Sequence, residues 1–185
     1  MGLSVSWKEY ECLMVERISV DSWRNELGHL YRYRLAASWL EPNERVLDVA
    51  CGIGYGAELI KESVAVDYLG ADKIQPAQDF ANLGRFYSGV NLDEWEPDFD
   101  WDVSICFETL EHVANPGHLA SQVAKAKRLI IVSVPTRPTI HFNPFHLHDF
   151  TVDDVLALFQ GHELLHIEDQ PEELSHIFVF RGLGA

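Results

Sequence analysis

Between residues 45 and 135 the chain alternates short β-rich runs with helix-like stretches, and no other feature restricts its fold so strongly. The runs are RVLDVA, VAVDYLG, RFYSGV, WDVSICF and RLIIVSV, and GAELIKE, QPAQDFANL and HLASQVAKA lie between most of them. Strands that alternate with helices form a parallel sheet covered on both faces. A further helix, TVDDVLALF, follows; ELLHIED and SHIFVFRG then read as strands close enough to pair antiparallel across the turn PEEL. The expected fold is α/β, with seven strands, five parallel and a final hairpin-like pair. Ahead of the sheet, residues 7–18 read as a short helix and 22–40 as a longer one, opened by Asp21 or Ser22 and stopped by Pro42. Leu27, Tyr31, Leu35 and Trp39 form an i+4 stripe expected to face the core, while His29, Arg32, Tyr33 and Ala36 share another face. With 185 residues and no repeat or linker, the chain reads as one domain over 1–185, with N-terminal helices over 1–42 and the alternating core over 43–185.

The stretch VLDVACGIGYGAELI carries Gly52, Gly54 and Gly56 at alternate positions, after the first strand and before a helix. Backbone without Cβ can take positive φ and be approached closely. A pyrophosphate, a nucleoside and a neighbouring helix would each use that freedom. In a parallel sheet, ligands bind beyond the carboxyl ends of the strands, at the switch point beside the first one. Donor amides and a positive helix terminus face the ligand there. Asp72 stands 20 residues after Gly52, at the end of the second strand, where a carboxylate accepts both hydroxyls of a ribose. A ribose-bearing ligand is therefore favoured over a structural turn with a surface aspartate. GIGYGA also satisfies the dinucleotide fingerprint, which is a weak match alone. Against a dinucleotide, Asp48 lies four residues before Gly52; its carboxylate would oppose a pyrophosphate but could orient an ammonium.

Composition removes other classes. The formal net charge is −15, with no Lys and Arg cluster for phosphates, so nucleic acid is not the expected partner. No segment is long and apolar enough to insert in a membrane. Cys12, Cys51 and Cys106 are odd in number and lack a framework spacing, which suits a reduced, cytoplasmic protein. Without a CxxC pair or an HExxH, spacing argues for no metal site. Six carboxylates crowd the stretch from Asp93 to Asp102, read as a solvated loop.

VLDVACGIGYGAELI, then LGAD, then FDWDVSICFETLEHVANP, then RLIIVSVP, resembles a class I S-adenosylmethionine-dependent methyltransferase, with the segments in the family's order. HLYRYRLAASWL and NPFHLHDFT resemble a bacterial subgroup associated with sugar or cell-envelope biosynthesis. The resemblance implies a three-layer Rossmann-like sandwich, strand order 3-2-1-4-5-7-6 with the last strand reversed, and S-adenosyl-L-methionine as cofactor. It implies that Ala50, Cys51 and Gly52 lie against the methionyl part, that Gly54 allows the loop's close approach, and that Asp72 holds the ribose. Asn91 and Leu92, or alternatively Asp93, fall where the family reads the adenine, and Lys73 where it often has an apolar wall. Arg32 becomes a candidate for the methionyl carboxylate through charge-assisted pairing. Phe107, at the end of the fourth strand, joins the cofactor-binding set.

Methyl transfer needs two reactants held in line more than it needs a universal catalytic residue. A hydroxyl acceptor is helped by a base. Glu108, His112 and His146 are the catalytic candidates: the first two follow the fourth strand in FETLEHV, with Glu111 as a brace, and the third lies in HFNPFHLHDF. His141 and His148 accompany it, and Phe142, Phe145 and Phe150 either line an acceptor pocket or plug the sheet's open end. The expected function is methyl transfer to a small-molecule acceptor, on an oxygen of a saccharide or related metabolite. A catalytically silent cofactor-binding subunit is the alternative, and a dinucleotide oxidoreductase is a distant third. The partner is a small molecule, and a homodimer is left open.

Overall fold

The structure is a computed structural model that describes residues 18–184. The helix expected over 7–18 lies, but for Ile18, outside those residues. Seven strands form one sheet in the order β3-β2-β1-β4-β5-β7-β6. They are β1 Arg45–Val49, β2 Asp67–Asp72, β3 Arg85–Ser88, β4 Val103–Phe107, β5 Leu129–Pro135, β6 Leu164–Gln170 and β7 Ser175–Arg181. The first five pair in parallel, and β7 runs antiparallel to both β5 and β6, as expected. Among the described residues, four α-helices accompany the sheet: α1 Leu27–Trp39, α2 Gly56–Lys61, α3 Pro116–Val123 and α4 Val152–Leu158.

The sheet's two faces are separated by the period-two alternation of its strands. Leu129 and Ile131 of β5 join Val46, Val103 and Ile105 on the face covered by α1 and α2. Ile130, Val132 and Val134 join Leu47, Val49 and Cys106 on the face covered by α3 and α4. Helix ends follow local chemistry. Asn115 accepts from the His118 amide ahead of Pro116 at the start of α3, and Thr151 and Asp154 form a reciprocal capping box on α4.

Three expectations are corrected. The N-terminal helix is broken: a 3₁₀ turn, Trp23–Asn25, precedes α1, and Ser22 does not cap it because its hydroxyl pairs with that of Ser19 at 2.9 Å. The stripe Leu27, Tyr31, Leu35, Trp39 faces the core only in its second half: Leu35 and Trp39 pack against the first core, but Leu27 is 74% and Tyr31 43% exposed, and the buried face is Leu30, Tyr33, Ala36, Ala37 and Leu40. QPAQDFANL does not form a helix. Pro76 lacks a donor, the segment makes a single turn with Phe80 and Ala81 amides on the Ala77 carbonyl, and buried Phe80 anchors it edge-on to Trp23. The acidic stretch is a loop whose Trp101 is buried and whose Phe99 stacks on Tyr87 at 4.9 Å.

Candidate functional site

The loop after β1 turns through positive φ at Ala50 (63°), Gly52 (57°) and Gly54 (92°). Its amides are tied down: Ala50 donates to the Ala71 carbonyl at 2.8 Å, and Gly52 to Oδ2 of Asp72 at the same distance. Oδ1 of Asp72 accepts from the Ile74 amide at 2.9 Å. The carboxylate at the end of β2 thus shapes the loop it faces. The three glycines differ in what they accommodate. A Cβ on Gly54 would come within 3.0 Å of Phe86, and one on Gly56 within 2.3 Å of Tyr33, so these two make room for the protein's own rings. A Cβ on Gly52 would meet nothing within 4 Å. The loop opens onto space at Gly52, beside Asp72.

Asp48 lies under the loop, 1% exposed, on the α1 and α2 face. Its Oδ2 accepts from the Tyr33 hydroxyl at 2.8 Å and from that of Tyr68. Burial raises its pKa to about 7, although both tyrosine hydrogen bonds pull the other way. Burial also raises the Cys51 thiol, with Asp48 and Asp72 adding to the effect, which makes Cys51 a packing group rather than a nucleophile. Phe107 is buried edge-on to Tyr33 at 5.2 Å. On the β3 side, Lys73 and Asn91 are exposed and Leu92 packs against the second core. Asn91 Oδ1 accepts from the Asp93 amide, and Asp93 itself accepts from the Asn115 amide.

Arg32 is fully buried. Its Nε donates to Gln170 Oε1 at 2.7 Å, and Nη2 lies 3.5 Å from both Glu108 Oε2 and Glu173 Oε2. Its Nη1 is buried with no hydrogen-bond partner among the described residues. Burial, with Arg32 nearby, lowers the His29 imidazole to about 3, and His29 Nδ1 pairs with the Tyr55 hydroxyl of the loop at 2.9 Å. Glu108 holds φ 46° at the end of β4. Both of its oxygens take hydroxyls, from Ser133 at 2.7 Å and from Ser175 at 2.8 Å. It braces β4, β5, β7 and Arg32 together.

His112 and His146 meet edge to face, with ring centroids 4.7 Å apart. Glu111 is 1% exposed, and its Oε1 lies 3.8 Å from His112 Nε2. The loop after β5 is docked onto this turn: the Leu147 amide donates to the Glu111 carbonyl at 2.7 Å, and His148 Nε2 pairs with the Val113 carbonyl. Asp149 folds that loop by accepting from the Thr139 and Ile140 amides, and these bonds lower its pKa. Of the three phenylalanines, Phe150 is buried in the second core while Phe142 and Phe145 are exposed.

Several groups that hold the site carry little mark in the sequence. Tyr33 shares a helix face with Arg32, and that was a usable signal; nothing local marks Tyr68, Gln170, Glu173, Ser133 or Ser175. A shallow depression lined by Asn43, Lys61 and Asp67 lies at the amino end of β2, opposite the site.

A sheet in this order, with a glycine loop after β1 and a carboxylate ending β2, is the architecture of the class I S-adenosylmethionine-dependent methyltransferases. The methyltransferase-domain family model matches residues 20–182, and the chain belongs to that family. It is 32% identical over 128 residues to a probable S-adenosylmethionine-dependent methyltransferase of Mycobacterium tuberculosis strain H37Rv, across 61% of this chain and 46% of the relative. It is 31% identical over 102 residues to the ubiquinone biosynthesis O-methyltransferase of Burkholderia pseudomallei strain K96243, across 47% and 43%. The chain spans about half the length of the curated relatives it matches. In fold it resembles the Burkholderia thailandensis 1,6-didemethyltoxoflavin-N1-methyltransferase, with a TM-score of 0.66 at 15% identity, over 98% of this chain and 92% of that one. No helix among the described residues is long and apolar enough to cross a membrane.

Proposed function

We propose that the protein is an S-adenosylmethionine-dependent methyltransferase that acts on an oxygen of a small-molecule acceptor, a saccharide or related metabolite. The observation that carries this reading is the switch-point geometry: Asp72 on the Gly52 amide, with Gly52 opening onto space. The orphaned Arg32 Nη1 supports it, since a buried guanidinium donor needs an acceptor such as a ligand carboxylate. When bound, the cofactor supplies a methyl group on a cationic sulfur. Asp72 would hold the ribose, and Ala50, Cys51 and Gly52 would border the methionyl chain near Asp48 and Phe107. Arg32 would take the carboxylate, with Glu108, Gln170 and Glu173 positioning it. Lys73, Asn91 and Leu92 would border the adenine. On the acceptor side, His112 and His146 would face the hydroxyl, and the exposed Phe142, Phe145 and Leu147 would receive an apolar part of the molecule. The Burkholderia pseudomallei relative is an O-methyltransferase, which favours oxygen as the methylated atom. The saccharide assignment rests on HLYRYRLAASWL and NPFHLHDFT.

Calorimetric titration with S-adenosylmethionine, S-adenosylhomocysteine and NAD tests the cofactor. The first two should bind and NAD should not. Asp72→Ala should weaken S-adenosylmethionine binding by roughly 1.5 kcal/mol, about tenfold. Binding of NAD alone overturns the reading. Cofactor binding with no S-adenosylhomocysteine released in the presence of any acceptor is the result expected of a silent subunit.

A further inference from the structure

Glu111 and His112 lie in the turn after β4, and His146 lies in the loop after β5. One ligand atom from each lies within 4.8 Å of the other two. Hydrogen bonding decides which nitrogens these are. Nδ1 of His112 faces the Phe145 carbonyl at 3.0 Å; a carbonyl only accepts, so this nitrogen carries the proton. Thr139 Oγ1 lies 2.6 Å from Nδ1 of His146 and 3.3 Å from Asp149 Oδ1; with its one proton given to the carboxylate, it accepts from Nδ1, and this is the tautomer the site requires. In each neutral ring the lone pair then sits on Nε2, the nitrogen that in His112 lies 3.8 Å from Glu111 Oε1. Metal-binding histidines are held in the same way, their second ring N–H given to an oxygen acceptor.

We propose that Glu111, His112 and His146 bind one divalent first-row metal ion, zinc or a similar borderline cation, in a three-ligand site with an open position. Two imidazoles and a carboxylate are the donor set of open, substrate-binding zinc centres. Bonds of about 2.0–2.2 Å place tetrahedral ligand atoms about 3.3 Å apart, so the loop after β5 draws in slightly on binding. The His112 side chain is 29% exposed, which gives the ion a route from solvent. The open position would take an oxygen of the acceptor, fix it and favour its ionised form. That last role rests on the methyl-transfer reading; the binding of the ion does not.

The test is equilibrium dialysis of the chelator-stripped full chain against Zn²⁺ or Co²⁺, with metal content measured by mass spectrometry. One ion per chain is expected, and Co²⁺ should show visible d–d bands without the thiolate charge-transfer bands that Cys51 or Cys106 would give. His112→Ala and His146→Ala should each lower affinity tenfold or more. Thr139→Val, which removes the oxygen behind His146, should lower it about tenfold. His141→Ala, in the same loop but outside the cluster, should change nothing. Glu111 is buried and its variants can fail to fold, so the histidine variants decide. Less than about a tenth of an ion per chain, or binding indifferent to His112→Ala, overturns the site. A bound ion without methyl transfer to any acceptor supports the site and counts against the functional reading alone. Methyl transfer indifferent to a chelator overturns the ion's role toward the acceptor.

Discussion

Asp48 shows how much one buried carboxyl can set. Its pKa is raised to about 7 by burial, and Asp72 adds to the rise. In the unfolded chain it ionises in the ordinary range near 3.8. Between those values the folded protein keeps a proton that the unfolded chain has released. The contribution to stability is therefore full at acid pH and is lost as pH rises through about 7. Asp48→Asn removes the titration and keeps an oxygen that accepts from Tyr33 and Tyr68. The melting temperature of the wild type, relative to Asp48→Asn, should fall by about 2 °C or more from pH 5 to pH 8, measured by thermal denaturation. A constant difference would mean that Asp48 ionises as an exposed carboxyl does. At this scale Gly52 and Asp72 were legible, because a strand, a glycine loop and a spaced carboxylate are local patterns. The pairing of His112 with His146 was not. They meet only because Asp149 folds the loop between Thr139 and Phe150 back onto the turn after β4.

Among the elements, α4 was the most readable, since TVDD states its own start. Thr151 accepts from the Asp154 amide at 3.2 Å, and Asp154 accepts from the Thr151 amide at 2.9 Å. Thr151→Ala should cost about 1 kcal/mol in urea unfolding, within the range for a lost N-cap; no loss would mean that the packing of Val155 alone holds the helix. The same local logic failed on α1 and on QPAQDFANL. In α1 an i+4 stripe of large apolar residues held only for Leu35 and Trp39, which pack against the first core. The inward face is instead built around Arg32 and Tyr33, whose polar ends are satisfied by Gln170 and Asp48 far along the chain. In QPAQDFANL, helix propensity yielded to Pro76 and to the buried anchor at Phe80.

For the whole molecule, the alternation of strands and helices indicated the strand count and the parallel pairing, whereas the strand order was implied by the family resemblance alone. One sheet separates two cores, so neither core exists without the other. Trp23 lies in the first and Trp101 in the second. In each single-tryptophan variant, one keeping Trp23 and the other Trp101, the urea midpoint by fluorescence should coincide with that variant's own midpoint by far-UV circular dichroism. Separate midpoints would show that the sheet does not couple its faces.

The clamp on Arg32 also bears on biosynthesis. Its partners Gln170 and Glu173 lie 138 and 141 residues away. While the chain is still emerging from the ribosome, the sheet can begin to form around β1, β2 and β4. Of the partners described above, Glu108 is in place with β4, and Gln170 and Glu173 follow only with the final hairpin. A truncated chain therefore carries an arginine paired by Glu108 but lacking the Gln170 acceptor and the Glu173 carboxylate. The clamp is completed last, so a fragment lacking the final hairpin keeps the Gly52 and Asp72 loop but not the positioning of Arg32.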